Sequence, residues 1–382
     1  MAVPDAARDA QTFAGRGTEM PPWGVFVLRR LLSSILLLLL LTLITFLAFS
    51  RIPSQPASFL IDIRYATPAD IAHANHVLGT DRPIYVQYGR FVWRLLHGDL
   101  GRTFRQARGG FTTPSSTGTP VAGEVLRAGA VTGAIAFGGA ILLFLISIPL
   151  GMLGASKPRS PVDRASAGLS MVGISTHPLV VALLLQLFLA SKWHWLPQNG
   201  YCDFVPKTTS AQVYEPSAAC SGPVGWAEHL VIPWIVFSLF FVALYSRMIR
   251  ARMLEVLDEP YIRTARAKGA SQRRVLFRHA LPNTVLPVVT MLAMDIGTAV
   301  GICVYIEAVF RMPGLGFTTI QSMGGAGLDL PMLVGITLFT GTVIIVLNLL
   351  VDLFAVAVDP TISRSPRAGR RPGAPAAARS NA

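Results

Sequence analysis

The residue with the clearest capacity for chemistry is a single carboxylate inside an apolar stretch. Asp295 lies near the middle of the apolar run 286–306, where an unpaired charge costs about 2.5 to 3.5 kcal/mol on insertion scales. The side chain must therefore face a cavity or a polar partner. A carboxylate in this place suits recognition of a solute amine, and a protonated or hydrogen-bonded structural aspartate explains it equally well.

The three cysteines fall into two environments. Cys202 and Cys220 share one polar stretch, whereas Cys303 lies inside an apolar run. A disulfide between the first two would close a loop of about 18 residues and stabilise it by roughly 3 kcal/mol in the chain-entropy model. Two unpaired thiols are the alternative. From this division we expect no metal site.

The composition indicates whether the chain folds in water or in a membrane. Of its 382 residues 52% are hydrophobic and only 14% are charged, where a soluble domain carries about 25% charged residues. The apolar residues form runs of about 19 or more, long enough to cross a hydrocarbon core roughly 30 Å thick. This excludes a soluble enzyme. The net charge of +13 is spread beside these runs, so we expect no nucleic-acid partner.

The apolar runs predict an all-α integral membrane protein with about six transmembrane helices and a cytoplasmic segment between the fourth and fifth. The first run follows Arg29 and Arg30 as a signal peptide would, but its length and the lack of a small-residue cleavage site favour a retained helix. His177 and Pro178 fall inside the third span, where proline predicts a bend. The predicted spans are 25–49, 131–155, 169–190, 229–249, 286–306 and 333–356.

Arginine and lysine predict the orientation. They are concentrated between the second and third spans, between the fourth and fifth, and at both ends of the chain. Because short cytoplasmic loops carry the excess of positive charge, both termini should be cytoplasmic in a multi-pass protein of the cytoplasmic membrane. The predicted organisation is a disordered tail 1–22, a first transmembrane helix 23–50, an extracytoplasmic loop region 51–127 with a flexible insertion at 108–120, a transmembrane domain 128–362 and a disordered tail 363–382.

The cytoplasmic segment 250–283 reads as two short helices around a glycine. Pro260 suits a first helical turn, Gly269 can take the left-handed conformation that ends a helix, and Ser271 can cap the next one. The second helix then places Val275, Leu276 and His279 on one face and its arginines largely on others. Such a segment can dock another protein or lie on anionic lipid, and its periodicity does not separate the two.

This segment resembles the coupling loop of ATP-binding-cassette (ABC) importer permeases of the dipeptide/oligopeptide (peptide/nickel) family, in its first-permease branch. Matching stretches are also found at 78–83, 98–101, 195–197, 313–316 with Glu307, and 348–352. The positions that correspond to the coupling-loop signature and the turn after it are Tyr261, Arg263, Thr264, Ala265, Arg266, Ala267, Lys268, Gly269, Ala270 and Ser271.

The resemblance implies a transport subunit that catalyses no reaction. Its coupling loop would insert into a cytoplasmic ATPase, and ATP and magnesium would be used by that partner. Consistent with this, the chain has no phosphate-binding pattern of the form G-x-x-x-x-G-K followed by Ser or Thr. The implied partners are a second permease, two ATPase subunits or domains, an extracytoplasmic solute-binding protein and the lipid membrane.

The implied cargo is a di- or oligopeptide moved by alternating access. Asp295 and Glu307 are the candidate substrate-pathway residues. Nickel complexes, glutathione and oligosaccharides remain alternative cargoes of the same machinery. An ion-coupled secondary carrier is the rival from another class, since such carriers need charged residues inside the membrane. A membrane receptor or scaffold would explain the topology but not the ordered motifs.

Overall fold

The computed structural model describes residues 22–51, 67–78, 82–103, 119–156, 176–204, 222–324 and 328–358, with single residues between 158 and 168. Apart from one antiparallel bridge between Arg102 and Pro120, the regular structure of this part of the chain is helical, which confirms the all-α prediction. The helices are α1 (Pro22–Arg51), α2 (Pro68–Leu78), α3 (Ile84–Leu96), α4 (Val121–Ser156), α5 (Pro178–Leu185), α6 (Pro223–Leu257), α7 (Pro260–Ala267), α8 (Gln272–Arg274), α9 (Leu281–Phe310), α10 (Leu315–Met323) and α11 (Leu330–Val358).

Within the described ranges, four helices are long and apolar enough to cross a membrane: α1, α4, α6 and α11. Helices α9 and α10 meet at an angle of 69° and count together as a fifth crossing. The apolar stretch Pro178–Lys192, formed by α5 and a π-helical segment, is shorter. The predicted count of six therefore stays a prediction, and part of the third predicted span, 169–175, lies outside the described residues.

The prediction of a bend at Pro178 is wrong. Helix α5 begins at this proline, and His177 occupies the N-cap position with its ring nitrogen Nδ1 accepting from the Leu179 N–H at 3.2 Å. A proline at the first helical position interrupts no hydrogen bond, because that N–H has no partner inside a helix. The histidine ring also meets Tyr305 of α9 edge-on, with the centroids 4.9 Å apart.

Glycines allow the close approach of α4 and α6, which run parallel through the centre of the bundle. A Cβ atom at Gly138 would lie 2.2 Å from the ring of Trp234, and one at Gly151 would lie 2.6 Å from Ile249. The indole N–H of Trp234 donates to the carbonyl oxygen of Ala134 at 3.0 Å. Small residues are the usual means of close packing between helices in lipid.

Helices α1 and α11 pair in opposite directions at the edge of the bundle. Their ends nearest α7 are joined by an ion pair between Arg30 and Asp352, with 3.0 Å between nitrogen and oxygen. The ion pair gives Asp352 a role in holding these two helices together. Arg30, Asp352 and α7 lie at one end of the bundle, as the predicted topology requires.

The described part of the region between α1 and α4 contains two helices, of which α3 packs against α1. After α3 the chain returns to the start of α4, where the Thr103 N–H donates to the Thr119 carbonyl and the Val121 N–H to the Gly101 carbonyl, both at 3.1 Å. The Thr103 hydroxyl also donates to the buried carboxylate of Asp329. Residues 104–118, which hold most of the predicted insertion, lie outside the described residues, as do the tails 1–21 and 359–382.

Candidate functional site

Helix α7 and the turn after it form the candidate coupling surface. The turn ends the helix by a Schellman motif, because the Gly269 N–H donates to the Arg266 carbonyl at 2.9 Å and the Ala270 N–H to the Ala265 carbonyl at 3.1 Å. Gly269 has φ of +81°, a left-handed conformation that glycine adopts without a steric cost. The predicted helix end at Gly269 is confirmed.

Burial of one apolar side chain attaches α7 to the bundle. Ile262 is fully buried and packs in a cluster with residues from the C-terminal ends of α4 and α6 and from the segment after α7. The opposite side of the turn is exposed: Arg263, Thr264, Arg266, Ala267, Lys268, Gly269 and Ser271. The surface is therefore polar, positively charged and held on a rigid base.

The second helix of this segment is longer than the sequence predicts. Helix α8 continues through the π-helical segment Val275–Ala280 into α9, so one unbroken helix runs from Gln272 to Phe310. Pro282 does not stop it, and the wider π-helical turn just before this proline accommodates the missing N–H. Ser271 stands at the N-cap position, but its side chain makes no cap hydrogen bond. Val275 and Leu276, two of the residues predicted to share a face, are both buried.

A hydrogen bond joins α7 to this long helix. The Asn283 side-chain N–H₂ donates to the Tyr261 hydroxyl at 2.8 Å and to the His279 carbonyl at 3.2 Å. The role of Asn283 could not be predicted from the sequence, because two residues 22 positions apart carry no local signal that they meet. This contact ties α7 to the first turn of α9.

The carboxylate of Asp295 has a hydrogen-bond donor opposite it. The hydroxyl of Tyr245 donates to Asp295 Oδ2 at 2.8 Å, and the tyrosine is buried on α6, where its ring meets those of Phe144 and Phe241. Asp295 itself is half-buried. The hydrogen-bonded interpretation of this residue is therefore supported, and recognition of a solute amine stays a prediction.

Glu307 forms the cap of α10 at the other end of the bundle. One carboxylate oxygen accepts from the Thr132 hydroxyl at 2.6 Å, and the other accepts from the N–H groups of Gly316 at 2.7 Å and Phe317 at 3.1 Å. The Thr132 oxygen in turn accepts from the Leu315 N–H at 2.9 Å. These contacts satisfy the first N–H groups of α10, which have no partner inside the helix.

The glycines around this cap leave room for it. A Cβ atom at Gly314 would lie 2.2 Å from the Glu307 carboxyl carbon, and one at Gly316 would lie 2.6 Å from the backbone of Val304. The stretch 313–316 is therefore explained by packing at the bend between α9 and α10. Glu307 is fully buried, and a contact between its side chain and substrate stays a prediction.

The cysteines are also divided in the structure. Cys202 is disulfide-bonded, but Cys220 lies outside the described residues, so their pairing stays a prediction. Cys303 is free and buried. The nearby Tyr201 hydroxyl accepts from the indole N–H of Trp226 at 3.0 Å, and burial raises the pKa of this phenol above its usual value.

Residues 147–364 of the chain match the family described as the binding-protein-dependent transport system inner membrane component. Residues 24–113 match the N-terminal part of the same kind of membrane component. The chain belongs to this permease family. The matched regions contain the coupling surface, Asp295, Glu307 and the helices α1 and α3.

The permease is similar to several curated relatives over most of its length. It is 32% identical over 340 residues to a putative peptide transport system permease protein of Brucella abortus, covering 88% of this chain and 98% of that one. It is also 32% identical over 352 residues to the dipeptide transport system permease protein DppB of Escherichia coli, with the same coverage. Against an inward-facing structure of the MetNI methionine ABC transporter, the identity is 17% and the TM-score is 0.48, over 63% of this chain and 99% of that one.

Proposed function

We propose that the chain is the permease subunit of an ABC importer that moves di- or oligopeptides across the cytoplasmic membrane by alternating access. Its partners are a second permease, two ATPase subunits or domains that bind ATP and magnesium, and an extracytoplasmic solute-binding protein. Both termini lie in the cytoplasm. The observation that carries the proposal is the coupling surface, a short exposed helix held on a buried base at one end of the bundle.

The geometry of α7 supports a protein partner over a lipid surface. A helix that binds lipid presents an apolar face to the bilayer, but Ile262 of α7 is buried against the permease itself. The side of α7 that faces outward is polar and charged instead. A short polar helix held in this way suits insertion into a groove of a folded partner. Movement of that partner would then displace α4, α6 and α9 together.

The relatives support a peptide cargo, because the proteins from Brucella abortus and Escherichia coli are named for peptide and dipeptide transport. We assign recognition of the peptide amine to Asp295, whose carboxylate is half-buried beside Tyr245. Nickel complexes, glutathione and oligosaccharides are the competing cargoes, and competition by each against uptake of a labelled dipeptide separates them.

Purification from the native host tests the assignment of the coupling surface. The tagged chain is extracted gently, and mass spectrometry identifies the proteins that accompany it. Ala267 is exposed at the end of α7, so Ala267→Trp adds bulk there without changing the backbone, and Ala267→Ser is the matched control. We expect an ATPase to accompany the native chain and the serine variant but not the tryptophan variant. If stably folded native chain carries no ATPase, or if the tryptophan variant retains it, the proposal is wrong.

A further inference from the structure

Helix α3 has an apolar surface that is wider than its contact with the bundle. Its side against α1 is formed by Tyr88 and Phe91, whose rings lie 5.4 Å and 5.6 Å from that of Phe46. Between the two helices, the hydroxyl groups of Thr42 and Tyr88 are also 3.0 Å apart and hydrogen-bonded. This contact occupies only one of the three faces of the helix.

A second face of α3 is apolar and exposed. Tyr85, Trp93 and Leu96 are 74%, 65% and 75% exposed, and at 3.6 residues per turn they fall within about 80° of each other, roughly 120° away from the α1 contact. The remaining third of the helix carries Arg90 and Arg94, which are also exposed. Three large apolar side chains on one helix face are not a surface suited to water.

The depth of the contact with α1 places α3 beside the membrane span. The apolar part of α1 is Phe26–Ser50, and Thr42 lies about 12 Å from its outer end at a rise of 1.5 Å per residue. A span of this length is longer than the roughly 30 Å hydrocarbon core, so Thr42 lies at the depth of the acyl chains. Tyr88 reaches it there. Helix α3 therefore lies at the level of the outer leaflet, next to α1.

The helix against which α3 packs also exposes apolar side chains. Few side chains of α1 are buried in the bundle, and Leu36 and Ile44 are among its exposed residues. Tryptophan and tyrosine are enriched where acyl chains meet headgroups. Arginine on the polar face can extend its charged end to the phosphates while its stem stays in the apolar layer.

We propose that α3 is an amphipathic helix embedded in the outer leaflet, with Tyr85, Trp93 and Leu96 against lipid acyl chains and Arg90 and Arg94 directed to the headgroups. The segment between the first two spans is then a membrane-binding element and not only an external loop. This inference rests on the membrane assignment of the chain and on the proposed cytoplasmic N-terminus, which makes the Ser50 end of α1 the outer one, but not on the cargo or on the ATPase.

Electron paramagnetic resonance of a nitroxide label tests the proposal. Leu96→Cys and Tyr85→Cys place labels on the exposed apolar face, and Arg90→Cys is the matched control on the polar face. Labelling of the native cysteines is measured on the unsubstituted protein, in which Cys303 is buried and free. The full-length chain, purified with its accompanying subunits, is reconstituted in phosphatidylcholine vesicles, and collision with oxygen is compared with collision with a water-soluble nickel chelate.

We expect oxygen to relax the labels at positions 85 and 96 more strongly than the nickel chelate does, and the order to be reversed at position 90. Strong relaxation by the chelate at 85 and 96 would place this face in water. Protection from both reagents would mean that a protein covers it. Either result overturns the proposal, provided that the unfolding temperatures of the variants match that of the unsubstituted protein. Loss of ATPase binding in the Ala267→Trp experiment has no effect on this measurement.

Discussion

Replacing Gly314 with alanine should destabilise the bend between α9 and α10 through one contact. The residue has φ of −90° and ψ of −176°, an extended backbone that alanine adopts without strain. The new Cβ atom would lie 2.2 Å from the carboxyl carbon of Glu307. That carboxylate cannot move aside freely, because it accepts hydrogen bonds from Thr132, Gly316 and Phe317. We expect a cost of about 1 to 3 kcal/mol, the usual range for an overpacked core.

The same contact predicts how two substitutions combine. Glu307→Ala removes the acceptor of two backbone N–H groups and one hydroxyl, and each buried donor left unpaired costs about 1 to 3 kcal/mol. Glu307→Ala should therefore be less stable than Gly314→Ala. It also removes the atoms that an alanine at position 314 would meet. Adding Gly314→Ala to Glu307→Ala should therefore cost little, which gives a coupling energy of about 1 to 3 kcal/mol.

Thermal unfolding with a thiol-reactive fluorogenic dye measures these effects. Cys303 is free and buried on the same helix as Glu307, so its reaction reports opening of α9. Gly133→Ala is the control, because Gly133 is next to Thr132 on α4 and a Cβ atom there meets nothing within 4 Å. The control should unfold at or above the native temperature. If Gly314→Ala unfolds like the native protein, or if its cost is the same with and without Glu307, the contact with the carboxylate does not limit stability.

Three further outcomes follow from contacts elsewhere in the bundle. Tyr261→Phe removes a hydrogen bond worth about 0.5 to 1.5 kcal/mol between α7 and α9. ATPase binding should therefore persist, while uptake per ATP hydrolysed falls in reconstituted vesicles. An unchanged ratio of uptake to ATP hydrolysis would contradict direct transmission. Arg30→Asp and Asp352→Arg should each lower the unfolding temperature slightly, because a partly exposed ion pair contributes up to about 1 kcal/mol. The variant with both charges reversed should regain the native unfolding temperature. If it does not, the ion pair contributes nothing to stability. Asp295→Asn should reduce uptake of peptides with a free amino group more than uptake of their N-acetylated forms. Unchanged uptake of every substrate would remove the recognition hypothesis. Tyr245→Phe is the control, because it keeps the carboxyl group of Asp295 and removes only its hydrogen-bond donor.

The features that could be predicted from the sequence depend on local rules. Apolar runs long enough for a bilayer predict membrane helices wherever they occur, and α1 and α11 follow them closely. The end of α7 at Gly269 follows from the one residue type that takes positive φ at no cost. In both cases, the deciding interaction is with the solvent or with residues a few positions away.

The features that could not be predicted depend on contacts between distant residues. Thr132 and Glu307 are 175 positions apart, and nothing in either neighbourhood indicates that a threonine on α4 completes the cap of α10. Nor does the sequence indicate that Gly314 leaves room for a carboxylate from another helix. The long helix through Pro282 is a similar case, because a π-helical segment before the proline removes the conflict that normally ends a helix.

The unbroken helix from Gln272 to Phe310 joins the coupling surface to the outer cap. At 1.5 Å per residue it is about 58 Å long, which is long enough for both of its ends to lie outside a hydrocarbon core roughly 30 Å thick. Its inner end is tied to α7 by the Tyr261–Asn283 hydrogen bond, and its outer end holds α10 through Glu307. Because a helix transmits tilt as a rigid element, a movement of α7 by the proposed ATPase would displace α10 on the opposite side of the membrane. In this mechanism the Glu307 cap keeps α10 attached to the moving helix, and its loss would separate opening at the outer surface from the movement at the inner one.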